Sequence, residues 1–153
     1  MNRSISIPEW HQMATMGAAP PVRIQLNGFS MYPLIRWRRD YVTIAPLKEC
    51  PVIGDIVLFC EPVTARYVVH RVWEIKDGKV LTWGDNCEKP DGWMPADAIW
   101  GKVLLIERGK RKIQPDPSKG MRWAKFWHQA GKVYRLFRRY KAGIVRRICK
   151  KKA

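Results

Sequence analysis

The chain has 153 residues, 46% of them hydrophobic, which is enough for one domain with its own core. Its formal net charge is +16, unevenly spread: residues 1–116 hold 16 Lys and Arg against 13 Asp and Glu, whereas residues 117–153 hold 13 Lys and Arg and no acid. Cys50, Cys60, Cys87 and Cys149 form no C-x-x-C pair, which excludes zinc-module spacing and argues against a disulfide scaffold.

In chain order, residues 1–21 read as an N-terminal segment without a secretory signal. The uncharged run over residues 10–22 contains His11, Gly17, Pro20 and Pro21, and is too short and broken to span a bilayer. A cytoplasmic protein with reduced thiols is expected. Residues 22–113 read as a β domain. Val22 to Leu26 alternates apolar and polar residues, as a half-buried strand does. Tyr41 to Ile44 and Asp55 to Phe59 are rich in β-branched and aromatic residues. Tyr67 to Ile75 and Lys79 to Trp83 flank Lys76-Asp77-Gly78, whose Asp-Gly pair predicts a hairpin. Ile99 to Glu107 closes the series. Short strands punctuated by Gly, Pro and Asp predict a mainly β domain with a curled, barrel-like antiparallel sheet.

Residues 114–118, with Pro115 and Pro117, read as a linker. Residues 119–153 form a basic tail. Trp123, Phe126, Trp127, Ala130, Val133, Phe137, Tyr140, Ile144 and Ile148 recur mostly at steps of three and four, predicting an amphipathic helix over 119–150. Its Lys and Arg residues are too frequent for a transmembrane span. They suit an anionic membrane surface, which makes the inner face of the membrane the expected location. Packing of the stripe on the β domain is one alternative, and nucleic-acid binding is another, less favoured one.

Four short motifs carry the chemistry: Gly28-Phe29-Ser30-Met31-Tyr32-Pro33, Gly54-Asp55-Ile56-Val57, His70-Arg71-Val72 and Gly84-Asp85-Asn86. Each alone suits an ordinary turn or a packed strand. In order they supply a hydroxyl to attack, an imidazole to take its proton and a carboxylate to orient the ring. Ser30 is the candidate nucleophile and His70 the candidate base. Alternation along Tyr67 to Val72 places Val68, His70 and Val72 on one face of a strand. Asp85 is the first candidate for the orienting acid and Asp91, in Pro90-Asp91-Gly92, the second. Asp55 receives no catalytic role. There is no G-x-S-x-G elbow.

These motifs and their order resemble the signal peptidase and self-cleaving repressor superfamily of serine peptidases, over roughly residues 24 to 108. His70 stands where the bacterial-type enzymes have a lysine, so the match is closest to the endoplasmic-reticulum type of signal peptidase. The resemblance implies a serine endopeptidase with a curled β fold, no cofactor or metal, and a peptide or protein substrate. Gly28 stands where bacterial-type members have an oxyanion-hole serine, so the oxyanion is expected to lean on backbone N–H groups, that of Ser30 among them. Met31 and Tyr32 are expected to contact substrate because they adjoin the nucleophile. No Ala-Gly or Cys-Gly pair precedes Ser30, so cleavage in trans is expected rather than self-cleavage. From a different class, the alternative is a catalytically inactive or nucleic-acid-associated basic protein that keeps the fold.

Overall fold

The computed structural model describes residues 5–62 and 64–131. A short helix, α1 (Ile7–Thr15), precedes eight strands: β1 (Val22–Gln25), β2 (Asp40–Pro46), β3 (Ile56–Cys60), β4 (Tyr67–Lys76), β5 (Lys79–Trp83), β6 (Gly92–Pro95), β7 (Ile99–Arg108) and β8 (Arg111–Ile113). A 3-10 turn, Ala96–Ala98, joins β6 to β7. A second helix, α2, begins at residue 117 and is described to residue 131.

All strands pair antiparallel in one sheet, in the order β1-β2-β7-β3-β4-β5-β6, with β8 pairing to β7 off this path. The barrel-like expectation is corrected in one respect. The sheet is curled but does not close, because β1 and β6, the two ends of the path, do not pair with each other among the described residues. Curling is evident in the packing: Val22 and Ile24 of β1 meet the same apolar cluster as Val69 of β4, four strands away. Register shifts at Thr43/Ile44, Leu58/Phe59 and Val72/Glu74 are the irregularities that let an antiparallel sheet bend this far.

β3 is the central strand, with four of its five residues buried. Its period of two feeds two cores. Ile56 and Leu58 join Trp10, Met31, Ile35, Val42, Ile44, Val69, Val103 and Ile106. Val57 and Phe59 join Val72, Val80, Met94 and Ile99. The β4–β5 hairpin turns through Asp77 and Gly78, at φ 49° and 70°, the left-handed pair that matches the twist of its strands. Lys76 and Lys79 close it in register.

α1 overlaps the start of the uncharged, broken run over residues 10–22. Ser6 caps it, accepting from the Glu9 N–H while Glu9 accepts from the Ser6 N–H. Its one buried residue, Trp10, joins the first core and donates its indole N–H to Pro20 O at 2.7 Å. The helix is therefore held by one large anchor rather than by an apolar face.

α2 starts two residues before the predicted 119. Asp116 accepts from the Lys119 N–H at 2.9 Å, and Pro117 follows as the first helical residue, where its missing N–H costs nothing. Residues 117–118 thus begin the helix rather than end a linker. Met121, Ala124 and His128 are its buried residues. His128 sits between Trp73 and Trp83, ring centroids 4.9 and 4.2 Å away. A Cβ on Gly120 would lie 2.5 Å from Arg71 Nη1, so only glycine lets the helix approach there. The predicted aromatic stripe is a different face: Trp123 is 45% and Phe126 58% exposed. The part of the predicted stripe from Val133 to Ile148 lies outside the described residues. Among the described residues no helix is long and apolar enough to cross a membrane.

Candidate active site

Sheet register brings the site together. His70 on β4 faces Val57 of β3, and the neighbouring Val72 pairs with Thr82 of β5. Thr82 pairs in turn with Gly92 of β6, so Asp91, the residue before it, arrives beside β4. His70 is buried with its ring edge-on to Phe59 at 6.3 Å. Val72 belongs to the second core and Val68 packs against it, so the alternation read along β4 holds as far as Val72. Both flanks of His70 are therefore fixed by ladder hydrogen bonds and by packing.

The carboxylate that meets the His70 ring is Asp91. Its Oδ2 lies 2.7 Å from His70 Nδ1 and also accepts from Thr82 Oγ1 at 2.7 Å. The Asp91 N–H donates to Thr82 O at 3.0 Å, which pins the backbone beneath the carboxylate. Asp85, the first candidate in the sequence, is placed elsewhere. Asp85 is fully engaged by the next residue on β4: Arg71 Nε donates to Oδ1 at 2.8 Å and Nη2 to Oδ2 at 2.7 Å. Arg71 Nη1 donates to Gly54 O at 2.9 Å. Alternation explains the split, because residues 70 and 71 point to opposite faces and each takes its own acid. Asp55, given no catalytic role, pairs with Lys102 Nζ at 2.7 Å and accepts from the Val52 N–H.

Ser30 is half-buried in a turn closed by the Tyr32 N–H to Phe29 O bond. Asn86 staples this turn to the loop after β5: its N–H donates to Ser30 O at 2.7 Å and its Nδ2 to Phe29 O at 3.2 Å. Gly84 is the point of convergence. A Cβ there would lie 2.8 Å from His70 Nε2, 2.9 Å from Ser30 O and 2.6 Å from Cys87 Sγ. Ser30 and His70 both line one cavity of about 880 Å³, together with Ile24, Leu26, Met31 and Val68. Met31 thus reaches the cavity while its side chain is buried in the first core. Tyr32 does not line it; its exposed ring meets Trp127 of α2 at 6.3 Å.

Among the described residues Ser30 Oγ makes no hydrogen bond to His70. Cys87 Sγ stands 3.9 Å from Nε2, the ring nitrogen not bonded to Asp91. The Cys87 N–H donates to Gly84 O at 3.0 Å, and its carbonyl accepts from Trp83 Nε1 at 3.1 Å. Sequence reading assigned Cys87 no place in the site. Its position one residue after Gly-Asp-Asn was the available signal. Burial pushes the His70 pKa down, but the hydrogen bonds that the charged ring makes to Asp91 and then to Cys87 outweigh it and raise it to about 9. Among the described residues no group of His, Cys, Asp and Glu is arranged to hold a metal ion.

Comparison with protein-family models finds no match for this chain, and comparison with curated proteins finds none either.

Proposed function

We propose that the chain is a serine endopeptidase with a fold of the signal peptidase type, acting in trans on peptides or membrane-associated proteins. Ser30 is the nucleophile, His70 the general base and Asp91 the carboxylate that orients the ring. The observation that carries this reading is that His70, buried and paired with Asp91, lines the same cavity as Ser30. The chemistry follows from the parts. Substrate binding brings Ser30 Oγ to His70 Nε2, a contact that tightens only when the site is occupied. His70 takes the hydroxyl proton as Oγ attacks the scissile carbonyl, and Asp91 stabilises the imidazolium. The Ser30 N–H is the donor assigned to the oxyanion. His70 then returns its proton to the leaving amine, and water hydrolyses the acyl-enzyme. The apolar lining of the cavity suits apolar side chains of an extended peptide.

The test is exposure of full-length protein to a peptide library and to a fluorophosphonate that labels activated serines. The expected result is cleavage and label on Ser30 in the wild type, and neither in Ser30→Ala with an unchanged melting transition. Equal cleavage by both proteins would overturn the assignment. One observation favours the inactive alternative, the missing Ser30–His70 hydrogen bond. No label and no cleavage in the wild type would establish that reading.

The exposed Trp123 and Phe126, with Lys119, Arg122 and Lys125 on the same helix, support docking of α2 on an anionic bilayer. Each cation near such a surface contributes about 1 kcal/mol. Trp123→Ser with Phe126→Ser should reduce co-sedimentation with vesicles containing anionic lipid. Unchanged sedimentation of the double variant rules out this face. Retention on DNA with no retention on vesicles would favour the nucleic-acid alternative.

A further inference from the structure

Cys87 is half-buried and accessible, and the peptidase chemistry above makes no use of it. Its thiol faces the one ring nitrogen of His70 that is not bonded to Asp91. Thiol, imidazole and carboxylate therefore stand in a line: Cys87 Sγ to Nε2 at 3.9 Å, and Nδ1 to Asp91 at 2.7 Å. This is the arrangement that makes a thiol reactive, with a cationic ring to face the thiolate and a carboxylate to hold the ring charged. The thiol is also fixed in place, since the backbone on both sides of it is bonded to Gly84 and Trp83. Gly84 has no side chain to fill the space where Sγ, Nε2 and the Ser30 carbonyl converge.

We propose that Cys87 is a covalent modification site that reacts with low-molecular-weight disulfides. The step balances without a further oxidant. Cys87 Sγ attacks one sulfur of a disulfide R–S–S–R as the thiolate, its charge facing the His70 imidazolium. The S–S bond of the reagent breaks as the Cys87–S–S–R bond forms. The departing thiolate RS⁻ takes the proton from His70 and leaves as RSH. Cys87 is oxidised to the mixed disulfide, and half of the reagent is reduced to thiol. If His70 is the peptidase base, as proposed above, the adduct covers the ring nitrogen that Ser30 needs. The modification then switches cleavage off, and a thiol reductant restores it.

The experiment treats full-length protein with oxidised glutathione at neutral pH and follows each cysteine by peptide mass mapping. Exposed Cys50 and half-buried Cys60 serve as internal controls. Cys87 is expected to react on the order of tenfold faster than Cys50, because the His70 ring beside its Sγ stabilises the attacking sulfur. His70→Gln should bring Cys87 down to the rate of Cys50 and leave Cys50 and Cys60 unchanged. Asp91→Asn, which keeps the ring, gives a second reading should the first variant fold poorly. A Cys87 that reacts no faster than Cys50 in the wild type overturns the proposal. So does a Cys87 rate that is the same in the wild type and in a folded His70 or Asp91 variant. Selective modification of Cys87 in a protein that cleaves no peptide supports this site and overturns the peptidase reading instead, so the two failures are distinct.

Discussion

Peptide cleavage by Asp91→Asn is expected to fall about 10⁴-fold in kcat, the loss seen when the orienting carboxylate of a serine–histidine pair becomes an amide. Ser30→Ala should lose about 10⁶-fold, because removing the nucleophile abolishes the whole covalent route. The Asp91 effect has two sources. An amide can donate to Nδ1 and so present the wrong tautomer to Ser30, and it carries no charge to balance the imidazolium. The pH profile separates these from simple misfolding. Only neutral His70 can accept the Ser30 proton. With its pKa held at about 9, chiefly by Asp91 against the opposing effect of burial, kcat/KM of the wild type should climb with pH up to that value. Removing the carboxylate removes the counter-charge that favours the charged ring, so the rising limb of Asp91→Asn must move to lower pH. A limb that stays in place would show that Asp91 does not set the charge of His70.

Asp85→Asn should act on stability instead. Arg71 and Asp85 are each 1% exposed at the side chain and joined by two hydrogen bonds. Losing the carboxylate leaves the guanidinium buried without a counter-charge, which costs about 3–5 kcal/mol. The midpoint of urea unfolding should drop accordingly. Arg71→Met combined with Asp85→Leu should recover much of the loss, because it removes both charges and leaves apolar volume. The Asp85→Asn variant, assayed where it is still folded, should keep the wild-type position of the pH limb. A shift of that limb equal to the one in Asp91→Asn would return Asp85 to the role of orienting acid. A stability loss well under 1 kcal/mol would show that the Arg71 charge has another partner.

The strands were legible because their signals are local. Alternation and β-branched content mark β1 to β5 and β7, and Asp77-Gly78 marks the hairpin between β4 and β5. The missed elements are those whose stabilisation is distant. β6 and β8, of four and three residues, are strands because β5 and β7 lie alongside them. α1 did carry a local mark, the Ser6 and Glu9 capping box, but its one buried residue gives no apolar period. In α2 the aromatic period marks Trp123 and Phe126, which stand exposed, and not the face that packs. The face that packs is Met121, Ala124 and His128, chosen by the Trp73 and Trp83 rings and by the space at Gly120.

The same division runs through the site. By itself the sequence determined which side chains were available: a serine in a turn, a histidine on a rigid strand, and two aspartates six residues apart after the hairpin. It determined too that residues 70 and 71 face opposite ways, since that follows from the period of a strand. Only the tertiary structure decided which aspartate met which of them. Asp85 and Asp91 have similar turn chemistry, and the choice depended on Thr82 standing in register between Val72 and Gly92. It also decided that a thiol stands at the free nitrogen of His70, because the turn closed by the Cys87 N–H and Gly84 O sets the direction of Sγ. Side-chain identity is written residue by residue, whereas pairing depends on how β4, β5 and β6 lie together once the sheet has curled.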